Sequence, residues 1–117
     1  MKESLAGNRY AKSLIALSIE KDELDVIYND MTLISKTVES SKDLDVLLKS
    51  PVVKTDKKQE ILTAIFGKNT TELTKQFLLL ISSRNREALI GEIANAFVRQ
   101  YKVIKKIIVT EVTSAVK

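Results

Sequence analysis

Two pairs of closely spaced carboxylates, Asp22 with Asp25 and Asp43 with Asp45, come nearest in this chain to catalytic equipment. One member protonated and the other ionised would make a general acid and a general base. Their setting argues for a simpler role, because both pairs stand where helices are expected to begin, and a helix N-terminus attracts negative charge for electrostatic reasons alone. The other residues offer them no help. With no histidine and no cysteine, the chain lacks the commonest general base, the commonest zinc ligand and any thiolate. Its three glycines are far apart and build no phosphate-cradling loop. No nucleophile is paired with a base, and no residues have metal-ligand spacing. The chain is expected to be non-enzymatic, with no cofactor and no metal site.

A chain of 117 residues is long enough to bury roughly 60–70% of its unfolded surface in one core without disulfides. Up to Val98 it carries 14 basic and 14 acidic residues, so the net charge of +4 comes from Arg99, Lys102, Lys105, Lys106 and Lys117 against Glu111. A neutral body with a basic end fits cations near the C-terminal dipole of a helix. It does not fit the clustered basic face of a nucleic-acid binder. No stretch approaches the ~18 uninterrupted apolar residues of a membrane span. Glu3 and the brevity of the Leu14 to Leu17 run also speak against a signal peptide. A cytosolic protein with no direct membrane insertion is expected. Asn69-Thr70-Thr71 fits a glycosylation sequon, and here it is assigned to helix-start chemistry.

Hydrophobic spacing predicts six helices. Leu5, Ala6, Tyr10, Ala11, Leu14, Ile15, Ala16, Leu17 and Ile19 make a first helix whose apolar surface exceeds the roughly 100° stripe needed against one neighbour. Leu24, Ile27, Tyr28, Met31, Ile34 and Val38 make a second, one-sided helix, with Asp22 as its expected N-cap. A short third helix holds Leu44, Val46, Leu47 and Leu48 and must end before Pro51. The fourth carries Ile61, Leu62, Ile65 and Phe66, with Thr55 or Asp56 expected as cap and Gly67 as a left-handed C′ residue. Asn69 to Thr71 cap the fifth, where Leu73, Phe77, Leu78, Leu79, Leu80 and Ile81 are too apolar for a helix with one dry face. The sixth starts near Arg86 and lines up Ile90, Ile93, Ala94, Phe97, Tyr101 and Ile104, with Gly91 placed either for close helix approach or as a tolerated neutral residue. Ile107, Ile108, Val109, Thr110, Val112, Thr113 and Val116 are β-branched and predict a strand. The expected architecture is all-α: a six-helix bundle over residues 1–105 and a strand-like tail over 106–117, leading to a missing second domain.

Several segments resemble one family in order along the whole chain. They are Arg9-Tyr10-Ala11-Lys12 with Leu14, Leu48-Lys49-Ser50-Pro51-Val52 with Lys57-Lys58 and Ile61-Leu62, Phe77-Leu78 with Leu80-Ile81, Asn85-Arg86, Phe97, Tyr101 and Glu111-Val112-Thr113-Ser114-Ala115. Together they resemble the N-terminal domain of the delta subunit of F-type ATP synthase, whose mitochondrial counterpart is the oligomycin-sensitivity-conferring protein. The resemblance implies a non-catalytic peripheral-stalk (stator) subunit that supports proton-driven ATP synthesis. It implies a site on the cytoplasmic face of the bacterial inner membrane. The implied partners are the N-terminal helix of an alpha subunit, held in a groove between helices 1 and 5, and the b subunit, held through the missing C-terminal domain. Carried over by position, the groove would use Tyr10, Ser13, Leu14 and Leu17 with Gln76, Leu79, Leu80 and Ser83. These come from the two over-apolar helices. Leu14 suits either the groove or the core. Many members have Asn-Gly-Arg-Leu between the fifth and sixth helices, where this chain has Arg84-Asn85-Arg86-Glu87. Asparagine tolerates the left-handed conformation such a turn needs.

Two other readings compete. An all-α RNA-binding domain of the transcription-antitermination type would show several arginines near its N-terminus, where Arg9 stands alone. A homodimer would bury the exposed groove of each copy.

Overall fold

The computed structural model describes the backbone of residues 5–116 and the side chains of residues 5–106. Six α-helices follow in order: α1 (Leu5–Glu20), α2 (Leu24–Ser40), α3 (Lys42–Lys49), α4 (Thr55–Phe66), α5 (Glu72–Ser83) and α6 (Ile90–Val116), with a 3-10 turn at Glu87–Leu89 leading into α6. The expected all-α six-helix bundle forms, with no strand among the described residues.

α6 is the spine. Ile90, Ile93, Ala94 and Phe97 recur at three- and four-residue steps, so one face of α6 is continuously buried. α1 and α2 pack along it. Leu14 of α1 and Ile27, Met31 and Ile34 of α2 join that face in the core, and Ile81 of α5 and Leu62 and Phe66 of α4 complete it. Gly91 belongs to close helix approach, since a Cβ there would lie 3.2 Å from Val38 Cγ1.

Four local expectations are corrected. Ile107 to Val116 continue α6 instead of forming a strand. A helix already nucleated upstream extends at little cost per residue, and β propensity is a weak prior beside that. The side chains of this tail, and any pairing it was expected to make, lie outside the described residues. Gly67 is right-handed, with φ −59° and ψ −31°. Its lack of a side chain matters for another reason: a Cβ would fall 2.4 Å from the Thr63 carbonyl oxygen. Asp22 does not cap α2. It ends α1 in the left-handed region, φ 58°, while Glu23 takes the N-cap position without a side-chain bond. α4 is preceded by Lys54 at the N-cap, and neither Thr55 nor Asp56 caps it. Of the four acidic residues that suggested catalysis, the other three stand at helix starts, Asp25 in the first turn of α2 and Asp43 and Asp45 in that of α3.

Buried polar contacts fix how the helices meet. Asp30, buried on α2, accepts hydrogen bonds at Oδ2 from the Thr71 backbone N–H (2.9 Å), the Thr71 hydroxyl (2.9 Å) and the Thr74 hydroxyl (2.7 Å). A carboxylate of one helix thus supplements Thr71, the N-cap of α5. Lys58 of α4 donates to the Leu48 carbonyl at 3.1 Å and lies 3.9 Å from Glu87, which also accepts from Ser82. Asp30→Ala strands the buried Thr74 hydroxyl and the partly buried Thr71 donors, and an unsatisfied buried group costs about 1–3 kcal/mol. The expected result is a loss of about 2–3 kcal/mol in urea denaturation; an unchanged midpoint would show that the contacts contribute nothing.

Candidate partner-binding groove

α1 and α5 have different main supports: α1 packs chiefly on α6 and α5 chiefly on α4, and both also touch α2. Each carries an outward stripe that the bundle leaves partly uncovered. On α1, Ala6, Tyr10, Ser13 and Leu17 are three or four residues apart and share one side. Tyr10 and Leu17 are half-buried, and Ser13 is exposed. On α5, Gln76, Leu80 and Ser83 form the matching exposed stripe, with Leu80 44% accessible. The Tyr10 ring meets Phe77 in a T-shaped contact, centroids 6.3 Å apart, and so joins α1 to α5 at that point.

The structure separates the eight candidates. Tyr10, Ser13 and Leu17 lie together on α1, and Gln76, Leu80 and Ser83 lie together on α5. Leu14 is 1% exposed and sits in the core, out of reach of anything lying in the groove. Leu79 is exposed but turns toward α4, where it borders Leu62, Thr63 and Phe66. Sequence reasoning missed Arg86. It follows Asn85, which adopts the expected left-handed conformation, φ 59°. Arg86 places its guanidinium 5.8 Å from the centre of the Tyr10 ring. With Leu5, Ala6, Arg9, Tyr10 and Ser13 it lines an open cleft of about 470 Å³. A two-arginine signal was present in the sequence as Arg9 and Arg86, but nothing in their spacing joins positions so far apart.

A separate polar cluster sits where α2 meets α6. Tyr28 and Tyr101 stack with centroids 3.9 Å apart. The Tyr101 hydroxyl donates to Asp25 at 2.7 Å, and Lys105 lies 3.4 Å from the same carboxylate. The hydrogen bond from Tyr101 is the main reason the Asp25 carboxyl is held below its ordinary value. The same bond, first among the causes, pushes the Tyr101 phenol up to about 12. The signs follow from linkage. Tyr101 is stabilising below its ordinary value of 10.0, and that contribution is lost as pH rises through about 12. Asp25 contributes above its ordinary value of 3.8, and its share is lost as pH falls through the depressed value. In an ultraviolet titration of tyrosinate, one of the three tyrosines should ionise near pH 12, and Asp25→Asn should bring it back toward 10. A midpoint unmoved by that substitution would remove Asp25 as the cause.

Among the described residues, no three His, Cys, Asp or Glu side chains are grouped to hold a metal ion, and no helix is long and apolar enough to cross a membrane. The fold is an all-α bundle that leaves apolar residues exposed on α1 (Leu5, Ile19) and on α5 (Leu79, Leu80). The model of the ATP synthase delta (OSCP) subunit family matches residues 6–117. The chain belongs to that family, whose role is structural and not catalytic. It is 40% identical to ATP synthase subunit delta of Cytophaga hutchinsonii over 97% of its own length and 63% of that protein. It is 33% identical to the subunit delta of Flavobacterium psychrophilum over 99% of its length and 65% of the relative. Against that of Chlorobaculum parvum the identity is 32%, over 100% and 65%. The chain thus spans a little under two thirds of the relatives it matches.

Proposed function

We propose that this chain is the head-binding part of the peripheral stalk of an F-type ATP synthase, and that it holds the N-terminal amphipathic helix of an alpha subunit between α1 and α5. The observation that carries this reading is the apolar surface the two helices leave uncovered: Tyr10 and Leu17 on α1 are half-buried and Leu80 on α5 is exposed. A helix laid there would cover apolar surface left wet in the isolated chain, which is the helix-in-groove mode of recognition. Family membership supports the assembly, and the residue pattern supports the face. In the same reading, residues after this bundle hold the b subunit, and the complex lies on the cytoplasmic side of a bacterial inner membrane. The test is titration calorimetry of the chain with a synthetic alpha-subunit N-terminal helix from the same organism. Micromolar or tighter binding at one site is expected; no heat and no binding at that concentration would sink the reading.

A further inference from the structure

Two cations at one end of the groove are unused by an apolar docking face. Arg9 and Arg86 both line the cleft of about 470 Å³ and both are exposed. Arg86 is held in place from two sides. Asn85, left-handed at φ 59°, closes the end of α5 so that the Arg86 backbone N–H donates to the Ile81 carbonyl at 3.0 Å. Its guanidinium then lies over the Tyr10 ring, an arrangement that lowers the entropy lost when the fork is used. Arg9 precedes Tyr10 on α1 and is one turn from Ser13, on the same cleft. Three surface lysines on the helices have carboxylate neighbours: Lys49 has Asp45, Lys57 has Glu60 and Lys75 has Glu72. Among the described residues, neither Arg9 nor Arg86 has one.

We infer that Arg9 and Arg86 form a carboxylate clamp: the helix that fills the groove carries an Asp or Glu that docks between them, while its apolar side covers Tyr10, Leu17 and Leu80. The inference rests on the groove reading above and adds the chemistry and direction of the partner. Guanidinium groups match a carboxylate bidentately, which fixes geometry as well as adding attraction. A charged contact at one end of an apolar channel sets register and polarity, because the reversed helix would leave both arginines facing apolar side chains.

The test uses the whole chain, the same alpha-subunit peptide, and a set of peptides in which each Asp or Glu is replaced in turn by its amide. Arg9→Gln and Arg86→Gln should each weaken binding about 5-fold at low salt, the upper range for an exposed ion pair, and the double variant about 20-fold. The double variant should also lose most of the salt dependence of binding. One amide peptide should bind the parent chain as weakly as the double variant binds the unmodified peptide, and lose nothing further against that variant. Parent-like binding by the double variant, or no amide peptide that behaves in this way, overturns the clamp while peptide binding by the parent leaves the groove standing. No binding by the parent brings down the groove reading and the clamp with it. Should Arg86→Gln lower the thermal melt through its ring contact, Arg9→Gln decides by the same coupling with the amide peptides.

Discussion

Phe77→Ala should destabilise the bundle by roughly 3–5 kcal/mol, the range for truncating a buried aromatic. The ring is 7% exposed and is packed among Met31, Ile34, Leu78, Ile90 and Ile93, so its removal opens a void shared by α2, α5 and α6. It also removes the edge on which Tyr10 rests. Weaker peptide binding in this variant would follow from a displaced Tyr10 and not from a lost partner contact. Thermal and urea denaturation measure the effect directly. A melting temperature within a degree or two of the parent would mean that Phe77 contributes no core packing.

Leu80→Asp should have the opposite profile, a near-parental melt with at least a ~30-fold loss of affinity for the alpha-subunit helix. Leu80 has no role in the core that burial would reveal, being largely open on the α5 wall. An apolar anchor in such a groove contributes ~2 kcal/mol or more, and a carboxylate pressed against an apolar face adds desolvation cost. At ~1.4 kcal/mol per tenfold this exceeds an order of magnitude. Calorimetry beside a melt separates the outcomes. Unchanged affinity takes Leu80 out of the groove, and a collapsed melt puts it in the core. Leu79→Asp is a useful companion, because that side chain turns to α4 and its replacement should weaken binding far less.

Helix existence was legible because periodicity reports which face is dry. Ile27, Met31, Ile34 and Val38 on α2 and Ile90, Ile93, Ala94 and Phe97 on α6 were all placed correctly as core. The exposed apolar surface of α1 and α5 was legible for a related reason: each held more apolar residues than one stripe can bury. Periodicity could not decide which neighbour each flank meets, so Leu14, Leu79 and Leu80 looked alike until the packing directions were known. End chemistry was harder. Asp at a helix boundary suits both an N-cap and a left-handed C′ position, and Asp22 takes the second. The polar contacts of Asp30 with Thr71 and Thr74, and of Lys58 with Glu87, join residues distant in sequence, and no local pattern marks them.

The divergent anchoring of α1 and α5 has a mechanical consequence. On the proposed reading, a helix lying lengthwise between them would be gripped by two walls with different main supports, α6 for α1 and α4 for α5. A pull along its axis would load all of its side-chain contacts in parallel, as shear, whereas a pull at right angles would peel them turn by turn. Such a joint resists sliding far better than lifting. It also splices: a seventh helix in that slot would couple the α1 wall to the α5 wall, so that the bundle and its occupant would yield to torque as one body.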